Sequence, residues 1–232
     1  MSYFSKFPKM VYTLDEYKTG QVLPDIFRRT KFLSDLTNSF AFYDEYDVKD
    51  GETPEIVADL FYNEPTLHWV ILQANEIIDP RFDWPLSTYN LQQFVEGKYN
   101  NVNAIHHYVD SDGYQTNANV VLQSSGEFSA LSVGDVIRNI TNLGNAYITV
   151  KTSSSSLNIV VSDGGFQGGD VVQLVSNALI NSNVTSTSTV SGIAVTNFEY
   201  ENSLNETKRR IKILKPEIVA DIINEFESTI NR

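Results

Sequence analysis

The densest gathering of side chains able to bind a metal is His106-His107-Tyr108-Val109-Asp110-Ser111-Asp112-Gly113. Two imidazoles and two carboxylates in one short run suggest a divalent cation. In a strand, however, adjacent side chains point to opposite faces, so His106 and His107 are not expected to share one ion. A calcium loop would need a third acidic ligand and a closing glutamate, and neither follows. Asp110 to Gly113 therefore reads as a tight hairpin turn. The glycine-rich run Asp163-Gly164-Gly165-Phe166-Gln167-Gly168-Gly169-Asp170 lacks the Lys-Ser/Thr of a phosphate loop and reads as a flexible connection between strands. The remaining histidine, His68, sits beside Trp69, and no serine lies in a nucleophile-elbow context. The chain has no cysteine, which removes thiol catalysis, disulfide frameworks and Cys-ligated zinc. Carboxylates are plentiful, but a glycosidase pair has no local signature. No catalytic, cofactor or metal site is expected, and the chain is not expected to be an enzyme.

The elements that could position functional side chains are clearest in residues 42–86. A Tyr-x-Val strand is followed by Gly51-Glu52-Thr53-Pro54, where Thr53 is a natural N-cap and Pro54 suits the first helical position. Ile56, Val57, Leu60 and Phe61 fall on one helical face, and Leu67, Val70, Ile71 and Ala74 form a second stripe after Pro65. The order resembles a LysM module, a small strand-helix-helix-strand unit best known from glycan-binding proteins. That resemblance leaves open a carbohydrate-binding role, with peptidoglycan as the ligand.

Composition narrows the alternatives. The chain has 232 residues and a net charge of −12, which disfavours nucleic acid and anionic membranes as partners. No window approaches the roughly 18 apolar residues of a membrane span, and Met1 to Tyr17 lacks the apolar run of a signal peptide. Residues 115–198 are rich in Ser, Thr, Asn, Gly and Val, with few charges. Short β-branched runs at 120–122, 135–137, 146–150, 157–161 and 171–175 alternate with turn signals, which predicts a small antiparallel barrel or sandwich. Ser153–Ser156 is the expected tip of a hairpin. Val133-Gly134-Asp135-Val136 and Gly169-Asp170-Val171-Val172 look alike, each a turn launching a strand. Near the C-terminus, Arg209–Leu214 alternates as a strand with Ile211 and Ile213 on one face. Pro216 then opens an amphipathic helix bearing Ile218, Val219, Ile222, Ile223, Phe226 and Ile230.

A wider resemblance rests on several segments in order. They are Asp25–Arg29, Asn75–Pro85, Ala104–Tyr108 and Val195–Glu206 running into Lys208–Pro216. Together they resemble the baseplate wedge protein family of T-even-type contractile-tailed phages, over residues 20–114 and 195–230 but not over the β-rich block. The resemblance implies a structural virion component of the tail baseplate, assembled in the host cytoplasm. It would join wedges to one another and to the central hub near the start of the sheath. Implied partners are other wedge and hub proteins and the first sheath ring, in multiple copies around a symmetric baseplate, without cofactor, nucleic acid or membrane.

The expected architecture is α+β in four parts. These are an N-terminal helical arm (1–41), the LysM-like module with a following hairpin strand (42–114), an inserted antiparallel β domain (115–197), and a C-terminal strand and docking helix (198–232). Among the aromatics Trp69, Phe82, Trp84, Tyr89, Phe94 and Tyr99, packing and interface anchoring are both open. Trp84, between Pro80 and Pro85, is the first candidate anchor. The candidate interface residues are Arg28, Arg29, Trp69, Trp84, Arg209, Arg210, Ile222 and Phe226, with the arginines set to pair with acidic partner surfaces.

Overall fold

Thr53 and Pro54 open the first helix as their chemistry requires. In α1 (Pro54–Tyr62) the proline occupies the first turn, where its missing N–H costs nothing, and the Thr53 hydroxyl faces the Ile56 N–H. The helix stops at Asn63, whose left-handed backbone (φ 53°) returns its N–H to the Asp59 carbonyl. Pro65–Leu67 is a single 3-10 turn leading into α2 (His68–Ala74). Asp79 caps the short α3 (Pro80–Asp83) by accepting the Arg81 N–H at 3.1 Å. The other α-helices among the described residues are α4 (Thr88–Lys98), α5 (Asn197–Thr207) and α6 (Pro216–Ile230). The structure is a computed structural model describing residues 3–13, 20–25 and 41–230. The chain divides into two compact units, one of residues 1–91 with 204–232 and the other of residues 92–203.

In the first unit, β1 (Lys9–Thr13) and β2 (Gly20–Pro24) form an antiparallel hairpin preceded by a 3-10 turn at Tyr3–Lys6. The described part of the N-terminal arm is largely extended, and residues 14–19 and 26–40 of the arm expected to be helical lie outside the described residues. A separate two-stranded sheet pairs β3 (Tyr43–Asp47) with β13 (Arg210–Leu214), Tyr43 facing Leu214 and Asp47 facing Arg210. The strand that closes the strand-helix-helix-strand order therefore comes from the far end of the chain. It does not come from the residues directly after α2.

Two cores flank α2. On one side Trp69 and Val70 meet Leu214 and the Val219, Ile222, Phe226 and Ile230 face of α6. On the other, Ile71 joins Val57 and Ala58 of α1, Trp84, and Ile211 and Ile213 of β13. The stripe on α6 is therefore core in its own unit. The alternation of Ile211 and Ile213 places both on the α1 side, as their spacing requires.

Asn75, just after α2, clips that helix to the sheet. Its amide donates to the Lys212 carbonyl at 2.8 Å and to the Ile71 carbonyl at 2.9 Å, and its oxygen accepts the Lys212 N–H at 2.7 Å. Asn75→Ala is expected to cost the first unit about 1–3 kcal/mol, since partly buried backbone groups lose their partners. The loss should appear as a lower urea midpoint for amides of this unit in hydrogen exchange, with the second unit unchanged.

In the second unit, β4 (Ile105–Val109) pairs with β12 (Ile193–Thr196). The remaining strands are β5 (Ala118–Gln123), β6 (Val136–Asn139), β7 (Asn145–Ser153), β8 (Ser156–Asp163), β9 (Val171–Leu174), β10 (Asn177–Asn183) and β11 (Ser186–Ser191). They form one antiparallel sheet in the order β10-β9-β6-β7-β8-β5-β11. β10 and β11 are consecutive in the chain yet lie at opposite edges. The connecting Val184 N–H bonds to the Asp170 carbonyl and the Thr185 N–H to the Gln123 carbonyl, so the sheet is rolled upon itself around a single core. The β7–β8 hairpin turns at the serine run, as its composition predicts. The domain bounds expected at 115 and 197 fall inside this unit, because β4 is drawn in by β12.

The two look-alike turns are one structure used twice. Gly134 and Gly169 both take positive φ (91° and 94°). Asp135 accepts the Ser132 N–H, and Asp170 accepts the Gln167 N–H, each at 2.8 Å. Gly134 donates to the Ile148 carbonyl and Gly169 to the Val184 carbonyl, each at 2.8 Å. The strands they launch, β6 and β9, lie antiparallel to each other, with Arg138 opposite Gln173. The Asp163–Asp170 run is packed: Phe166 is fully buried, and a Cβ on Gly165 would collide with Ile105.

Candidate assembly interface

Of the six candidate interface residues that the structure describes, four are buried. Trp84 is 5% exposed, and its indole N–H donates to the Glu52 carbonyl at 2.8 Å. It anchors the β3–α1 connection to α3 and the following turn. Trp69 is buried with its ring centroid 4.7 Å from that of Phe226, and Phe226 meets Phe7 at 6.1 Å. Ile222 belongs to the same core. These placements share one cause: aromatic and β-branched side chains gain most free energy where they are most fully covered, and this unit supplies the cover itself.

Of the arginines, Arg209 is a local staple. It donates to Glu206 at 2.7 Å and to the Val48 carbonyl at 3.1 Å, and approaches Asp50 at 3.7 Å. The Asp50 carboxyl is held below its usual range, first by the Thr88 backbone N–H and further by the Thr88 hydroxyl and Arg209. Arg210 is open to solvent and pairs across the sheet with Glu45. Arg28 and Arg29 lie outside the described residues.

The exposed apolar surface is elsewhere. Ile56 and Leu60, one turn apart on α1, are 51% and 58% exposed, although their spacing with Val57 and Phe61 suggests one buried face. The core of the first unit takes only the Val57–Ala58 side. Ile78 between α2 and α3, Phe82 on α3 and Tyr89 on α4 are also well exposed. The α1 ridge is flanked by the exposed carboxylates Glu55 and Asp59 and carries no basic residue.

Beside it lies an open groove of about 440 Å³ lined by Glu52, Thr53, Glu55, His68, Arg81 and Trp84, among others. Its wall is pinned by Tyr46, whose hydroxyl bonds to Glu52 at 2.8 Å; burial and then that carboxylate push its pKa up to about 12. Nothing in the sequence pattern separates the exposed Ile56 and Leu60 from the buried Val57, because adjacent stripes on one helix look alike.

The chain is thus α+β, with buried apolar cores and, on the first unit, an exposed apolar ridge flanked by carboxylates. Residues 2–160 match the family model described as base plate wedge protein 53, and the chain belongs to that family of bacteriophage structural proteins. A curated relative, baseplate wedge protein gp53 of Enterobacteria phage T4, is 27% identical over 114 residues, covering 48% of this chain and 58% of that protein. The family match runs into β8, so it includes part of the β-rich block that the sequence resemblance leaves out.

Proposed function

We propose that this chain joins baseplate wedges to one another and to the central hub near the start of the sheath, as part of the tail of the virion. Its partners are other wedge and hub proteins and the first sheath ring. Residues 42–114 serve as a LysM-like module that docks protein. The observation that carries the proposal, beside family membership, is the exposed Ile56–Leu60 ridge on a helix whose opposite side is fully engaged in the core. An exposed apolar ridge with an acidic rim suits a partner groove that is apolar with basic edges.

Replacing Ile56 and Leu60 together by Asp is expected to leave melting of the purified protein within a few degrees of the parent, while incorporation into baseplates is lost. Normal incorporation of a folded variant would remove α1 from the interface.

The carbohydrate alternative has the groove in its favour but lacks a platform. Trp84, its aromatic wall, is covered and its N–H is engaged. Sedimentation with purified peptidoglycan is expected to show no saturable binding at micromolar protein. Saturable binding would favour the glycan-binding role.

A further inference from the structure

His106 and His107 are adjacent in β4, and in a regular strand their rings would lie on opposite faces of the ribbon. They do not. The β4–β12 register slips between Val195, which faces His107, and Thr196, which faces Ile105. Two steps on β4 are thus matched by one on β12, and His106 is the extra residue of a bulge. A bulge re-aims a side chain, and here it brings both imidazoles together, with their Nδ1 atoms 2.9 Å apart. The His106 ring lies flat on Tyr200 of α5 (centroids 4.0 Å apart, planes at 13°), and His107 meets the same tyrosine edge-on. Tyr99 of α4 presents itself at right angles to His106.

We propose that the His106–His107 pair is a proton-sensitive latch that fastens α5 to the β4–β12 ribbon and opens when both imidazoles become cationic. An Nδ1-to-Nδ1 hydrogen bond requires one nitrogen to donate and the other to accept. A first added proton can go to the Nε2 of the donor ring and leave the bond intact. The second has nowhere to go but the accepting Nδ1, and then two N–H groups and two positive charges face each other. The bond is lost, and nothing then holds His106 stacked on Tyr200 and His107 at its edge.

The ionisable groups around the pair are Lys98 and Tyr99 on α4, Tyr200 and Glu201 on α5, Tyr108 on β4, and Asp163 at the end of β8. Glu201 is buried and already accepts from the Lys98 ammonium and the Tyr99 hydroxyl, each at 2.7 Å, so its charge is largely committed. Asp163 also draws the His106 proton affinity upward. Burial, followed by its neighbour His107, holds His106 below the ordinary imidazole range, and burial does the same for His107. Groups whose folded pKa lies below the unfolded value of about 6.5 contribute stability that is fully present above that pH and lost as pH falls through the folded values.

The test is hydrogen exchange on the full chain, with protection factors for β4 and β12 measured between about pH 7.5 and pH 5, where imidazoles titrate. Strands β5 and β8 serve as the internal reference. In the parent protein the β4–β12 amides should lose protection several-fold relative to the reference as pH falls. In His107→Gln that loss should be absent. An equal loss in parent and variant, or none in the parent, overturns the latch. Should the variant fold poorly, imidazole nitrogen-15 shifts of the parent protein decide. A coupled two-step titration with one Nδ1 held as acceptor is expected, and two independent ordinary titrations overturn the proposal.

Discussion

Replacing Ile222 and Phe226 together by Asp is expected to unfold the first unit, not merely to detach a docking helix. Both side chains are buried, and Phe226 lies between Trp69 and Phe7. Truncating a buried Phe alone costs about 3–5 kcal/mol, and a carboxylate in its place adds the cost of desolvating a charge. Against a total stability of about 5–15 kcal/mol for a domain, the pair should remove cooperative unfolding of this unit. Hydrogen exchange read by segment is the measurement. Amides of β3, β13 and α2 should lose protection while β5–β8 keep theirs. A double variant that retains the first unit's protection would return α6 to the surface and restore the docking-helix expectation. The contrast with Ile56 and Leu60 is the informative part, since those two are expected to change assembly and leave the fold alone.

The second large effect lies in the other unit. Asn139 is fully buried and donates to Asp170 at 2.6 Å and to the Gly165 carbonyl at 2.9 Å, while its oxygen accepts the Thr141 N–H at 2.9 Å. Asn139→Ala leaves the Thr141 N–H without its acceptor and leaves Asp170 with the Gln167 N–H, and is expected to cost about 2–3 kcal/mol. The cost should depend on pH. Burial pushes the Asp170 carboxyl up, with the Gln167 N–H and the Asn139 amide opposing. An acid whose folded pKa is raised binds its proton more tightly in the native state, so its contribution is best below the unfolded pKa and declines as pH rises through the folded one. Removing the Asn139 donor raises the folded value further. The stability gap between parent and variant should therefore be widest near neutrality and narrow in acid. A gap measured by urea unfolding that is the same at both ends would show that Asp170 does not carry the effect.

The sequence was legible where a local rule decides the outcome. Thr53 and Pro54 start α1, Pro216 starts α6, and the serine run turns a hairpin, each because backbone chemistry there has few options. β10 and β11 escaped because Asn177–Asn183 and Ser186–Ser191 are mostly exposed and polar. They are strands by virtue of ladder hydrogen bonds, which leave no hydrophobic period. Pairings between distant segments also escaped. β3 with β13 and β4 with β12 each join strands from widely separated parts of the sequence, and no spacing rule reaches so far.

The candidate site was less legible than the fold. Trp84 between two prolines has the look of a surface anchor, but its indole N–H found a carbonyl within its own unit. Ile56 and Leu60 look like core and are exposed, because only one side of α1 has a neighbour within the unit. His106 and His107 converge through a one-residue slip in register that depends on the partner strand, not on the histidines. Asn75 had a faint signal, an amide at a helix end just before the positive φ of Glu76, where side-chain clips to the backbone are common.

On the proposed function, this chain sits between wedges with α1 turned toward a neighbour. Cryo-electron microscopy of the parent particle's baseplate tests it most directly. Density for this chain is expected at the junction of adjoining wedges, with Ile56 and Leu60 covered by another polypeptide. A chain located away from the wedge junctions, or seated there with the α1 ridge open to solvent, would contradict it.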